Sequence, residues 1–449
     1  MPQPVLSRSP ASDRKSSSQP RAISLVDVKN MYVSCESLFD LSLRGRPVAV
    51  WSNGDGCAVA RSDEAKALGV KMGTPKFKLR ELLENGTLIG RSSNYTLYAD
   101  MSRRLQEVLA RFSPHVEIYS VDESFVSLDG FTDPEAHARD LVRAVARDVG
   151  LPVRVGIGPT KTLAKVANEV AKKNPVAKGV FDMRDPATVD WTLERFDVGE
   201  VWGIGRATVA KLAPLGISTA AHLRDMPLKQ ARAIGTVVLE RTVRELQGEC
   251  CTPFEDITPD RKCVSVTRTA GAPITEWREL MEALTAHTTR AAEKLRREGL
   301  VAGRLRAFYH TYAFRTSKPQ HSVARTTALV PMTDDTLDLV AAARRCAEAG
   351  WIEGHPFEYG KVGVLLENLV PFSQRPRTLF EPIEKRDPRL MQAMDGVNSR
   401  FGRKMLTLAS EGTPRARAPS WGQRFDDHSP RYTTRLSDLP VITRGRVGV

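Results

Sequence analysis

The chain has 449 residues, 41% hydrophobic and 27% charged, enough for several buried cores and, at roughly 100–200 residues per domain, for two to four domains. Its net charge of +13 fits a polyanionic partner such as nucleic acid. The six cysteines form no C-x-x-C pair, the first 21 residues lack the apolar core of a secretion signal, and no apolar run reaches the length of a membrane span; this excludes a legible zinc or disulfide framework and points to a cytoplasmic protein with free thiols and no membrane partner.

Residues 1–22, rich in Ser, Pro and Arg, are expected to form a disordered tail. Order begins with AISLVDV, an apolar run of strand length that ends near Asp27. PVAVWS, from Pro47, is a second strand, and NGDG at Asn53 a tight turn. EAKALGVKMG reads as a short helix ended by Gly69. LYADMSRRLQEVLARF is a longer helix, with Leu97, Met101, Leu105, Val108 and Phe112 near one face. VEIYSVDESFVSL gives two strands in close succession, EAHARDLVRAVARDVG a helix, and VRVGIG a strand. KTLAKVANEVAKK sets Leu163, Val166, Ala167 and Val170 on one helical face, with Pro159 placed in its first turn.

Strands alternate with helices up to about Phe181, which argues for a mixed α/β domain. From Trp191 to about Cys250 only short helices are expected. From Lys262 to about Val370 the order is strand–helix–strand–strand–helix–strand, a separate α+β unit. After Pro371 the composition shifts to Pro, Arg, Ser and Asp. From Ser373 onward 15 Lys/Arg face 8 Asp/Glu, so more than half of the chain's excess charge sits there.

The chemistry-bearing residues are acids in unusual places. Asp27 closes an apolar strand, and Asp122 and Glu123 lie inside another apolar stretch. Carboxylates in such settings are costly unless paired or bound to a metal. Neighbouring strand residues point to opposite faces, so Asp122 and Glu123 address one site only where the strand ends or the hairpin turns. With Asp27 on the adjacent strand, three carboxylates would converge. Hard oxygen ligands select Mg²⁺ or Mn²⁺, and such a cluster suits phosphoryl transfer by two metals. The bland alternative is that these acids cap turns or pair with surface Arg.

LVDVKNMYVSCES, SNGDGCAVARSDEAKALGVKMGTP, SSNYTLYADMS, SPHVEIYSVDESF and GIGPTKTLAKVAN occur in this order, followed by WGIGRATVAKL, VVLERTVRELQGE and SPRYTTRLSDL. Over about 23–439 the chain resembles the Y-family DNA polymerases, and most of all their UmuC-type branch. The resemblance implies an α+β multidomain, right-handed polymerase. Its palm would span 23–33 and 91–185, small fingers 34–90, a helical thumb with a helix-hairpin-helix 186–252, an α+β little finger 262–371, and a basic C-terminal tail 372–449.

It also implies error-prone synthesis across damaged bases, since small fingers and thumb check the new base pair little. Asp27, Asp122, Glu123 and the Val28 carbonyl would bind two Mg²⁺ ions, with Mn²⁺ a substitute. Tyr32 would be the steric gate against a 2′-hydroxyl. Lys161, Lys66 and Arg61 would meet the triphosphate. Gly203, Gly205 and Arg206 would hold the DNA backbone, with Arg268, Arg304, Arg306 and Arg325 as further basic candidates. Lys29 and Met31 depart from the residues usual in relatives. Besides primer-template DNA and dNTP, the implied partners are a cleaved UmuD-like dimer, a RecA filament and a sliding clamp engaged by Leu379 and Phe380. The resemblance also implies damage-induced (SOS) mutagenesis. The rival reading is a non-catalytic DNA-binding scaffold of the same fold; such relatives have lost metal carboxylates, whereas Asp27, Asp122 and Glu123 are all present here.

Overall fold

The computed structural model describes residues 21–254, 261–376, 388–402, 404–412, 419, 421–422 and 425–440. Residues 1–20 of the tail expected over 1–22, and the pair Leu379–Phe380, therefore lie outside the described residues. The first elements are β1 (Ile23–Val28), α1 (Met31–Phe39), β2 (Val48–Trp51), β3 (Ala58–Arg61), α2 (Asp63–Ala67), α3 (Arg80–Glu84) and β4 (Ile89–Ser92). Then come α4 (Tyr95–Leu109), β5 (Val116–Ile118), β6 (Glu123–Ser127), α5 (Pro134–Asp148), β7 (Val153–Gly158), α6 (Lys161–Lys173) and β8 (Val180–Asp182). Four helices follow: α7 (Pro186–Arg195), α8 (Arg206–Leu212), α9 (Ala220–Arg224) and α10 (Leu228–Leu246). The last group is β9 (Cys263–Ile274), α11 (Trp277–Arg297), β10 (Leu300–Thr311), β11 (Ser322–Thr333), α12 (Thr336–Glu348), β12 (Tyr359–Pro371) and α13 (Pro388–Phe401).

Two compact units share these elements: residues 1–44, 95–257 and 431–449 form one, and 45–94 with 258–430 the other. In the first, a five-stranded sheet has the order β5-β6-β1-β7-β8. β1 is its central strand, and all six of its residues are buried. That explains why AISLVDV is apolar without alternation: a strand covered on both faces has no polar side to show.

Helix α6 packs on β1, β7 and β8 at a distance only glycine permits. A Cβ on Gly156 would lie 2.1 Å from the Asn168 nitrogen and 2.4 Å from the Ala164 carbonyl oxygen. Asn168 then fastens the helix by donating from Nδ2 to the carbonyls of Leu25 (3.1 Å) and Arg154 (3.0 Å). Thr160, not Pro159, begins the helix: its hydroxyl accepts from the Leu163 N–H, so Pro159 lies one residue before the cap.

The region after β8 is helical as expected, but α10 is longer than a short helix. Its 19 residues are broken at Gly235 and at Thr236, whose φ is 66°. The element before Gly203 is only a 3₁₀ turn over Val198–Glu200, capped by Asp197, rather than an α-helix.

The second unit contains a three-stranded sheet, β3-β2-β4, and a four-stranded antiparallel sheet, β11-β10-β12-β9. The latter, with α11 and α12 packed on it, reproduces the strand–helix–strand–strand–helix–strand order read from the sequence. The segment after Pro371 is not featureless: α13 forms, and Arg296 of α11 grips Asp395 of α13 with two hydrogen bonds, 2.7 and 2.9 Å. Among the described residues no helix is long and apolar enough to cross a membrane.

Candidate active site

Asp27 ends the buried central strand, and the register of β1 against β6 sets Glu123 directly opposite it. Directly opposed strand residues share a face, so the two carboxylates are neighbours. Asp122 precedes β6 and belongs to the hairpin turn. Its carbonyl accepts from the Val28 N–H at 2.9 Å, and its carboxylate takes the Ser120 hydroxyl. Ser120 Oγ in turn accepts from the Glu123 N–H at 3.0 Å, fixing the turn. The parity problem posed by adjacent acids is thus met by starting the strand at Glu123 and leaving Asp122 outside it.

The electrostatics of this pair are tense. Burial pushes the Asp27 carboxyl up to about 7, with Lys172 pulling it down and the Glu123 charge pushing it further up. Two lysines of α6 compensate. Lys172 Nζ lies 3.1 Å from Asp27 Oδ2, and Lys165 Nζ lies 2.8 Å from Glu123 Oε2. Seven residues separate them, about two helical turns, so one face of α6 serves both acids. Lys165 also sits over the rings of Tyr119 (4.4 Å), Trp202 (5.3 Å) and Phe125 (5.7 Å). The Trp202 indole donates to the Tyr119 hydroxyl at 3.3 Å, closing this aromatic cage.

Among the described residues no three Asp, Glu, His or Cys side chains stand as a ready metal-binding group. The structure instead brings Asp27 and Glu123 together and turns Asp122 to Ser120. Tyr32, in the first turn of α1, stacks on Tyr98 with centroids 4.2 Å apart and meets Tyr95 edge-on. Burial, then the nearby Tyr95 and Asp122, push its phenol above the usual range. Asp122 is therefore close enough to Tyr32 to be felt. Asn30, just before α1, has a left-handed backbone with φ 50°.

Lys161 is elsewhere. It is 1% exposed, with Nζ bonded to both oxygens of Glu117 (2.8 and 2.6 Å) and to the Pro253 carbonyl (2.8 Å). A lysine at a helix start is expected to greet phosphate, but this one is enclosed and neutralised. Lys165, four residues on, is the lysine at Glu123, and the sequence reading passed over it. The i,i+4 spacing in KTLAK was the available signal. Gly203, with φ 87°, makes the turn that the sequence required, and Gly205 caps α8, which starts at Arg206.

In the second unit Arg61 donates to the Val70 carbonyl at 2.8 Å and Lys66 pairs with Asp63 at 3.0 Å. Of the four arginines on the large sheet, Arg304 and Arg306 alternate with buried Leu305 and Ala307 and so face away from the helices. Arg268 and Arg325 pair with Val362 and Ala307 and lie on the helix side.

Chain comparisons agree with this geometry. Residues 26–169 match the impB/mucB/samB family, 261–379 its C-terminal domain, and 388–442 a domain of unknown function. The chain is 38% identical to the SamB protein of Salmonella typhimurium, over 93% of this chain and 98% of that one. It is 38% identical to the UmuC protein of the same species (strain LT2) over 92% and 98%. It is 31% identical to a DNA polymerase IV of Moorella thermoacetica over 86% and 95%. In fold it is similar to a Y-family DNA polymerase chimera, with a TM-score of 0.62 at 19% identity, covering 78% of this chain and 99% of that one.

The two α6 lysines should separate in a stability measurement. Lys161→Met removes the enclosed ammonium that holds the partly buried Glu117 carboxylate and should be the costlier change, about 3 kcal/mol. Lys165→Met, which removes a partly solvated cation, should stay within about 1 kcal/mol. Urea unfolding curves check this; equal losses would contradict the division of labour.

Proposed function

The chain belongs to the impB/mucB/samB family, and from that premise we propose that it extends DNA primers across damaged template bases by two-metal nucleotidyl transfer at Asp27, Asp122 and Glu123. It is a DNA-directed DNA polymerase. The observation that carries the reading is the opposition of Asp27 and Glu123 at the end of the buried central strand, with Asp122 in the adjoining turn. A non-catalytic scaffold would have no use for two carboxylates kept together at such cost.

The residues fit divalent cations. The donors are hard oxygens, and burial with the Glu123 charge leaves Asp27 short of positive charge. Asp27, Asp122, Glu123 and the Val28 carbonyl would hold two Mg²⁺ ions, which when bound activate the attacking hydroxyl and steady the leaving phosphate. The protein's own groups do the rest. Lys165, braced by three rings beside Glu123, supplies a cation for the triphosphate, a role that enclosed Lys161 is poorly placed to fill. Tyr32, held rigid by Tyr98, presents a ring that excludes a 2′-hydroxyl. Phosphoryl transfer of this kind depends mainly on such positioning and charge. We extend the proposal to Leu379–Phe380 as a sliding-clamp anchor and to the basic stretch beyond Phe380 as the dock for a UmuD-like dimer, with a RecA filament as a further partner, in damage-induced mutagenesis.

Primer extension with Mg²⁺ on a template carrying an abasic site tests the reading. Asp122→Ala or Glu123→Ala should lower nucleotide addition by about a thousandfold or more, since a metal-held transition state is worth several kcal/mol. DNA binding should persist, because backbone contacts lie elsewhere. Near-normal extension by either variant would refute the assignment.

Tyr32→Ala should raise ribonucleotide relative to deoxyribonucleotide incorporation. An unchanged ratio of the two rates would make Tyr32 a packing residue.

A further inference from the structure

The sheet β3-β2-β4 leaves β4 at its edge. That edge is occupied by the chain's own residues 425–430, far along the sequence. The Ser92 N–H donates to the Asp427 carbonyl at 3.0 Å, and Ser92 forms a parallel bridge with His428. The segment therefore caps the sheet edge through a single bridge.

Side chains make the docking specific. Asp427 Oδ2 accepts from Lys76 Nζ at 2.7 Å and from the Trp51 indole at 3.2 Å, while its N–H donates to Ser92 Oγ at 3.0 Å. Asp55 Oδ2 collects the Asp426 N–H (3.0 Å), the Ser92 hydroxyl (2.9 Å) and Lys76 Nζ (3.2 Å). Asn94 Nδ2 donates to Ser429 Oγ at 3.0 Å and to the Pro430 carbonyl at 3.2 Å. Trp51 is fully buried and reaches the notch across Gly90, where a Cβ would stand 2.6 Å from the indole nitrogen.

A few residues earlier the same segment is anchored in a different core. Trp421 is buried with Val266, Leu284 and Val364 of the four-stranded sheet and its helices. Its ring meets His287 edge-on at 6.0 Å, and its carbonyl accepts from the Gly271 N–H at 3.4 Å. Asp427 lies six positions after Trp421, so one short stretch is fixed at both ends to separate sheets.

We propose that Trp421–Gly422 and Phe425–Pro430 act as a clasp, an Asp-Asp turn bound in cis by the Trp51–Asp55–Lys76–Ser92 notch, which ties the three-stranded sheet to the four-stranded one. This gives a task to part of the stretch that the comparisons match only to a domain of unknown function. It does not depend on the polymerase reading. The chemistry is that of edge capture, with one backbone hydrogen bond at the sheet edge and specificity from a carboxylate that pairs with Lys76 and satisfies a buried indole N–H.

Hydrogen exchange on the full-length chain tests the clasp without any activity readout. In Asp427→Ala the amides of Ser92, Asp426 and Asp427 should exchange at least about tenfold faster, because a charge-assisted hydrogen bond contributes about 1.5–3 kcal/mol. Amides of β10 and β12 should keep their wild-type rates. Asp427→Asn, which keeps the shape and loses the charge, should show a smaller change at the same amides if the alanine variant folds poorly. Wild-type protection at Ser92 and Asp426 in both variants would overturn the proposal, as would a loss spread evenly over both sheets.

Discussion

Two carboxylates side by side at the end of a buried strand are the constraint around which the first unit is organised. Asp27 and Glu123 repel each other where water is scarce, and without Lys172 the Asp27 carboxyl would be pushed further toward its neutral form. The compensation comes from one helix face, with Lys165 on Glu123 and Lys172 on Asp27. That face can reach them only because α6 lies almost on the backbone of β7, which demands Gly156, and because Asn168 bonds carbonyls of β1 and β7. A buried acidic pair held by lysines is weak support for stability and good support for function.

Much of this was legible in the sequence. An apolar run of strand length ending in Asp27 announced a strand closed by a misplaced acid, and the order of elements over 262–370 followed from periodicity. What escaped was direction. Lys161 and Lys165 both begin an amphipathic helix, and a rule about helix starts favours the first. The actual cap at Thr160 turns Lys161 inward to Glu117 and leaves Lys165 for the site. No periodicity reveals which of two lysines one turn apart finds a partly buried glutamate in another strand. The hairpin that parts Asp122 from Glu123 was likewise visible only as a condition, since Ser120 sets the turn through contacts to both residues.

The tail illustrates what net charge conceals. After Ser373 basic residues outnumber acidic ones 15 to 8, which directed attention to the cations. The structure uses the minority: Asp395 holds α13 to Arg296, and Asp427 holds the segment to Lys76 and Trp51. Acids scattered in a basic stretch are the residues that can find fixed cationic partners within the same chain.

The account stands or falls on whether the Asp27–Glu123 pair is where a divalent cation binds. Titration of the purified chain with Mn²⁺, reading the free ion by electron paramagnetic resonance, measures this directly. Asp27→Asn should weaken binding by at least about tenfold, since even outer partners of metal ligands contribute that much. Lys172→Met, which removes the competing ammonium, should bind Mn²⁺ as tightly as wild type or more so. An Asp27→Asn chain that keeps its circular dichroism spectrum and binds Mn²⁺ as wild type does would contradict the central claim.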